Sequence, residues 1–219
     1  MLIYLLIFFP DLGVLQERIN NTPPTIIFSV KNELFQIIFL NIPTIALIWY
    51  LVKKRLSSVK PVSETPLYRI SNKKSFFNMI AMGGVGFVCL FLIGTAVSYI
   101  EGSIAGAFPA LPEVPDAGVP KTAFAIPVMI LSCFSTAYLE ESFFRFFLAQ
   151  RLNEVLSSIL KAMLISTVLF AAAHLWEGPW GVINALFAGI FLSCLFQYKK
   201  SLHSIALAHA LYNISVYIM

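Results

Sequence analysis

Three short clusters in the C-terminal half of this chain bring together residue types suited to acid–base work: Glu140-Glu141 with Arg145, His174, and His209 with Asn213. Two carboxylates, a guanidinium, two imidazoles and a primary amide can accept, donate and hold protons, and ionisable groups inside apolar runs are functional candidates by default. Glu141 and Arg145 are four residues apart, so on a helix they share a face and can pair. Glu140 lies about 100° around the axis from Glu141. One carboxylate can then be neutralised by the arginine while the other faces elsewhere. His209 and Asn213 are also four apart and share a face. Phe170 lies one turn before His174, with Ala171-Ala172-Ala173 between them, small residues that admit a neighbouring backbone.

The elements that must position these groups follow from composition. The chain has 219 residues, of which 58% are hydrophobic and 12% charged, with a mean hydropathy of +0.82. An average soluble domain carries roughly 25% charged residues, so a soluble globule of this length is excluded, as are disordered and fibrous chains. The lipid bilayer is the remaining solvent. The net charge is +4, but the basic residues cluster at the ends of apolar runs. That is the pattern of membrane topology rather than of a nucleic-acid-binding face, and no nucleic-acid partner is expected. Cys89, Cys133 and Cys194 all fall inside apolar runs without a C-x-x-C pair, and are read as buried free thiols.

Six apolar segments are long enough, or nearly so, to cross about 30 Å of hydrocarbon: residues 34–52, 76–100, 123–149, 159–175, 180–198 and 204–219. The expected fold class is all-α, a polytopic membrane helix bundle of about six transmembrane helices with a short N-terminal apolar segment. Pro43 predicts a kink in the first span, and Trp49 and Tyr50 stand where an interfacial belt would be. Gly83-Gly84-Val85-Gly86 predicts a close helix approach in the second. Met1 to Phe9 is too short to span and has no basic leader, so it reads as an interfacial or re-entrant piece rather than a signal peptide. Asn20-Asn21-Thr22 is a glycosylation sequon by pattern alone. Three parts are expected: residues 1–33 as an N-terminal interfacial segment, 34–122 as the first transmembrane helices and loops, and 123–219 as the part bearing the chemistry.

Loop charges set the orientation. Residues 53–75 carry Lys53, Lys54, Arg55, Lys60, Arg69, Lys73 and Lys74 against Glu64, which places that loop in the cytoplasm. Residues 101–122 carry Glu101, Glu113 and Asp116 against Lys121 and face the other side. Arg151 and Lys161 then fall inside, Glu177 outside, and Lys199 and Lys200 inside, which leaves the C-terminus extracytoplasmic. A charge at the bilayer centre costs roughly 2.5–3.5 kcal/mol on insertion scales, so each intramembrane charge is a functional candidate. Counted as helical rise from the cytoplasmic anchors, Glu140, His174 and His209 lie about 16, 20 and 14 Å deep, within roughly a turn of one another.

Glu140-Glu141-Ser142-Phe143-Phe144-Arg145 reads EExxxR, Phe170 to His174 reads FxxxH, and His209 to Asn213 reads HxxxN. In this order and on separate spans, the set resembles the CPBP family of intramembrane proteases, which includes the type II CAAX prenyl proteases and bacteriocin-processing or immunity-related relatives. The resemblance covers about residues 123–219. It implies peptide-bond hydrolysis within or near the membrane, on a prenylated CAAX-type tail or a peptide precursor. It also implies the roles: Glu140 as general base with His174 assisting, His209 and Asn213 as the oxyanion donors, and Glu141 with Arg145 holding the site. A metal version would use Glu140, His174 and His209 as a zinc-ligand set with an open fourth position. There is no H-E-x-x-H motif, and the metal-free and zinc readings stay open side by side.

Blander readings stand beside these. Glu141–Arg145 taken alone is a structural ion pair, His174 an interfacial histidine, and His209 with Asn213 interhelical hydrogen-bond glue. All three would then coincide by chance in type, order and depth. His203 reads as a solvated loop residue near Lys199 and Lys200, Trp176 and Trp180 as an interfacial belt, and Asn184 as a bond to another helix. The run Phe143, Phe144, Phe146 and Phe147 reads as lipid-facing or core. The alternative functions are a non-catalytic scaffold or immunity-type binding protein on the same fold, and a proton-coupled transporter, which would be expected to show repeated halves. The expected partners are membrane lipid and a peptide or lipidated protein substrate.

Overall fold

A computed structural model describes residues 28–59, 73–104, 120 and 122–218, and every regular element among them is helical. Helix α1 (Val30–Phe35) passes through a π-helical stretch, Gln36–Asn41, into α2 (Ile42–Val59). Helix α3 is Lys73–Ile104. Helix α4 (Ala125–Glu141) continues through a second π-helical stretch, Ser142–Leu148, into α5 (Ala149–Leu156). Then come α6 (Ile159–Ala172), a 3₁₀ turn (Leu175–Glu177), α7 (Gly178–Lys199) and α8 (Leu202–Ile218). The all-helical membrane bundle expected from composition is therefore the fold.

Three helical stretches are long and apolar enough to cross a bilayer: Val30–Lys54, Ser75–Ile104 and Leu175–Lys199. Ile159–Ala172 and Leu202–Ile218 are shorter apolar helices. The fourth expected span ends at Ala172 rather than residue 175, because the chain there tightens into the 3₁₀ turn. Large apolar side chains such as Val85, Leu92, Val168 and Phe187 point out of the bundle. In water such a surface would drive aggregation; in lipid it needs no cover. Residues 1–27, with the apolar start and the sequon, lie outside the described residues, as do Lys60, Glu64, Arg69, Glu113, Asp116 and Lys121 among the charges used for orientation.

The π-helical stretch before Pro43 is the local answer to that proline. Its ring cannot follow a regular α-helical turn without striking the carbonyl four residues back, and a widened turn relieves the clash. The expected disturbance is thus a π turn. It carries a residue the sequence reading passed over. Asn41 is buried and donates from Nδ2 to the Ser135 hydroxyl at 2.9 Å and to Thr136 at 3.4 Å, tying the first span to α4. One helical end earlier, the Ser132 hydroxyl donates to the Glu33 carboxylate.

Helix α8 packs between α3 and α4, α6 against α5 and α7, and α7 also against α3. The core gathers Leu90, Phe144, Phe170, Leu192, Leu202 and Ile205 from these helices. The close approach predicted for the glycine stretch occurs where α3 crosses α8. A Cβ placed on Gly86 would stand 2.8 Å from the Ala208 Cβ, and one on Gly83 would stand 2.6 Å from Leu207 Cδ2, whereas Gly84 faces open space. Gly86→Val is therefore expected to destabilise the protein by about 1–3 kcal/mol, since two Cβ atoms cannot share that gap, and Gly84→Ala to change little. Unfolding titrations of both variants in mixed micelles check this pair, and equal stability would remove the packing argument.

Several expectations change. His203 is not a solvated loop residue: only Lys200 and Ser201 separate α7 from α8. Lys200 makes the turn with a left-handed φ of 52°. His203 is therefore already on the helix, half-buried, with Nδ1 3.0 Å from the Tyr138 hydroxyl and its ring edge-on to Trp49. Arg151, just after the third expected span, lies on α5 and pairs with Glu154 at 3.3 Å. Of the three free thiols only Cys133 is buried; Cys89 is partly covered and Cys194 is exposed on the outside of α7. Asn184 does bond another helix, donating to the Tyr212 hydroxyl at 2.8 Å.

Candidate active site

Helix α4 delivers Glu140 and Glu141 at its last turn, immediately before the π-helical stretch that carries Arg145. Glu141 through Phe146 are consecutively buried, a run that includes Ser142, Phe143 and Phe144. Single-turn π distortions inside α-helices are frequent at functional sites. This one is braced from two sides. The Ser166 hydroxyl of α6 donates to the Phe144 carbonyl at 2.6 Å, and the Trp49 indole N–H of α2 donates to the Ser142 hydroxyl at 3.0 Å. Both braces supply polar partners to a segment that lipid cannot hydrate.

The pairing predicted within the EExxxR segment forms. Arg145 Nη1 donates to Glu141 Oε1 at 3.1 Å, with the carboxylate fully buried and the arginine 2% exposed. The guanidinium lies 4.1 Å from the centroid of the Phe170 ring, a stacking arrangement open to arginine and weaker for a compact ammonium. On its other side Gly189 of α7 leaves room, since a Cβ there would stand 3.2 Å from Arg145 Nη2.

His209 reaches this pair from α8. Its Nδ1 stands 2.8 Å from Glu141 Oε1, the oxygen Arg145 also uses, and its Nε2 stands 3.6 Å from Glu140 Oε2. A carboxylate engaged by a guanidinium only accepts, so Nδ1 carries the proton and donates it to Glu141. Nε2 is thereby aimed at Glu140. The imidazole is clamped between the two adjacent carboxylates, which splay to its two nitrogens because they leave the helix about 100° apart.

His174 follows α6 in the turn before the 3₁₀ segment. Its Nδ1 donates to the Phe170 carbonyl at 2.9 Å, its Nε2 is 4.0 Å from Glu177 Oε1, and its ring lies 4.7 Å from that of Phe170. The edge of the same Phe170 ring meets His209 at 6.1 Å. Phe170, buried and central, thus borders Arg145, His174 and His209 at once, and is the apolar floor on which the three motifs meet. The phenylalanine run is core at Phe143, Phe144 and Phe146, with Phe147 partly covered.

Glu140, Glu141, Arg145 and His209 are therefore in direct contact, and His174 joins them through Phe170. No hydrogen bond or ion pair joins Glu140 to His174. Asn213, one turn beyond His209 on α8, is half-buried, and its side chain makes no hydrogen bond among the described residues. Glu140, His174 and His209 do not form the zinc set considered from sequence. Among the described residues no three His, Cys, Asp or Glu side chains are gathered for a metal ion. His174 and His209 are instead engaged by a backbone carbonyl and by the two carboxylates. The sequence reading missed Asn41, the Trp49–Ser142 and Ser166–Phe144 braces, and Glu177 beside His174. Each is a polar residue within an apolar run or at its edge, which was the available signal.

The comparison with known proteins agrees with the motifs. No curated protein and no solved structure matches the chain. Across residues 122–215, the stretch that holds every one of these motif residues, the chain matches the family described as Type II CAAX prenyl endopeptidase Rce1-like, a family of proteases; together with its apolar helices, this points to a membrane protein.

Proposed function

We propose that this protein is an intramembrane endopeptidase that hydrolyses a peptide bond in a membrane-associated substrate, a prenylated CAAX-type tail or a peptide precursor. The observation that carries the reading is the buried constellation in which His209 sits between Glu140 and the Glu141–Arg145 pair. An apolar core does not retain four ionisable groups without return, since each is expensive to remove from water.

Glu140 is the general base. It takes a proton from a water as the hydroxide adds to the scissile carbonyl carbon, and returns that proton to the leaving amine nitrogen as the C–N bond breaks. His174 assists by accepting a hydrogen bond from the same water. His209 Nε2, with its ring fixed through Nδ1 by Glu141, and the Asn213 amide serve the carbonyl oxygen as its charge grows. To donate to that oxygen through Nε2 while Nδ1 donates to Glu141, the His209 ring carries a proton on both nitrogens at that step. Arg145 holds Glu141 in place. The same reading keeps the orientation drawn from loop charge, with residues 53–75 cytoplasmic and the C-terminus outside.

Purified protein in lipid nanodiscs, given a quenched fluorescent peptide with and without a C-terminal prenylcysteine, tests the proposal. Cleavage at one bond, located by mass spectrometry and preferring the lipidated peptide, is the expected result. Absence of cleavage of either peptide and of a panel of membrane-delivered precursors would favour the scaffold reading.

A further inference from the structure

The segment between α6 and α7, His174-Leu175-Trp176-Glu177-Gly178-Pro179-Trp180-Gly181, is built to hold one carboxylate against one imidazole. The 3₁₀ turn closes with the Glu177 N–H on the His174 carbonyl at 3.0 Å, which stacks the two side chains on one side of the turn. Gly178 takes φ 85°, a value that favours glycine, and Pro179 starts α7 with a pre-set φ. Gly181, one turn into the helix, is where the Glu177 side chain lies: a Cβ at Gly181 would collide with Glu177 Cβ and stand 2.7 Å from Oε2. The start of α7 also favours a negative charge. Glu177 is thus folded back over its own helix start rather than extended to solvent, and its Oε1 stands 4.0 Å from His174 Nε2.

The tautomer of His174 makes this contact matter. Nδ1 donates to the Phe170 carbonyl, so in the neutral ring the lone pair is on Nε2, on the side of Glu177. At 4.0 Å the two atoms are beyond direct hydrogen bonding, so Glu177 acts on the ring through its charge and leaves the Nε2 lone pair to the reacting water.

We infer that Glu177 is the positioning residue of His174: its carboxylate, held back by Gly181, fixes the direction in which Nε2 is presented and stabilises positive charge on the ring as Nε2 accepts a hydrogen. This rests on the reading that His174 serves the hydrolysis. Each histidine of the site then has a carboxylate of its own, Glu141 for His209 and Glu177 for His174. Only the second pair is carried on a turn rather than between helices.

Glu177→Gln keeps the shape and removes the charge. It is expected to lower kcat about tenfold with KM within about twofold, the range in which partners of reacting imidazoles act. Gly181→Ala, which pushes an unchanged Glu177 aside, is expected to do the same. The chain has three histidines, so nitrogen-15 labelling of histidine gives a readout independent of turnover. The His174 signals, assigned with His174→Gln, should show a proton on Nδ1 and should move in both variants while those of His203 and His209 stay. Turnover within twofold of the parent and unmoved His174 signals in both variants would overturn the inference. Full turnover in Glu140→Gln would instead overturn the protease mechanism and leave the nitrogen-15 result to decide the Glu177 contact alone.

Discussion

Glu140→Gln protein, folded as the parent, is expected to cleave about 10²–10⁴-fold more slowly, the share a positioned general base contributes. The amide keeps the volume of the carboxylate and can still lie against His209 Nε2, where Oε2 now stands at 3.6 Å. Packing and substrate binding should therefore change little, and the loss should fall on kcat with KM nearly constant, the signature of an interaction made in the transition state. Single-turnover cleavage in nanodiscs reads this directly. Retention of more than about one tenth of the parental rate would show that another group takes the proton.

The second large effect is on stability. Arg145→Ala strips the partner from Glu141, whose carboxylate is fully buried. Breaking a buried pair from one side costs about 3–5 kcal/mol because the remaining charge has lost both water and counter-ion. The stacking on Phe170 at 4.1 Å is lost as well. Arg145→Lys should recover only part, because an ammonium cannot both reach Glu141 and lie flat on the ring. The double variant Glu141→Gln, Arg145→Met is expected to be markedly more stable than Arg145→Ala yet much less active, since no buried charge is left unpaired but the neutral amide oxygen at position 141 accepts the His209 Nδ1–H more weakly than the carboxylate and no longer favours positive charge on the ring. Unfolding midpoints in one detergent, with turnover measured alongside, separate the two consequences. An Arg145→Ala protein as stable as the parent would mean that the pair is not buried as described.

The parts of this site that could be read in advance are those that depend on spacing along one helix. Glu141 and Arg145 meet because residues four apart are neighbours on any helix, even one widened by a π turn. That α3 approaches a neighbour closely was legible from the stretch holding Gly83 and Gly86, since small residues in lipid have few purposes besides close approach; that the neighbour is α8 was not. His203 was misread because its surroundings in the sequence are basic and hydrophilic. Whether a residue near a turn is wet depends on the length of that turn, and a two-residue connection leaves no loop. Glu177 was taken as a mere outer charge for a similar reason: its fold-back requires the φ of Gly178 and the missing side chain of Gly181 together, and neither is apparent from composition.

By itself the sequence determined that the chain is helical and belongs in lipid, and it singled out the polar groups placed within the apolar runs. These follow from apolar run length and helical rise, both local quantities. Only the tertiary structure decided that His209 faces both carboxylates, that His174 turns to Phe170 and Glu177 rather than to Glu140, and that Phe170 is the surface they share. Those outcomes depend on how far α8 is rotated and lowered against α4 and α6. A shift of one residue turns a helix face by about 100°, enough to exchange one carboxylate for the other.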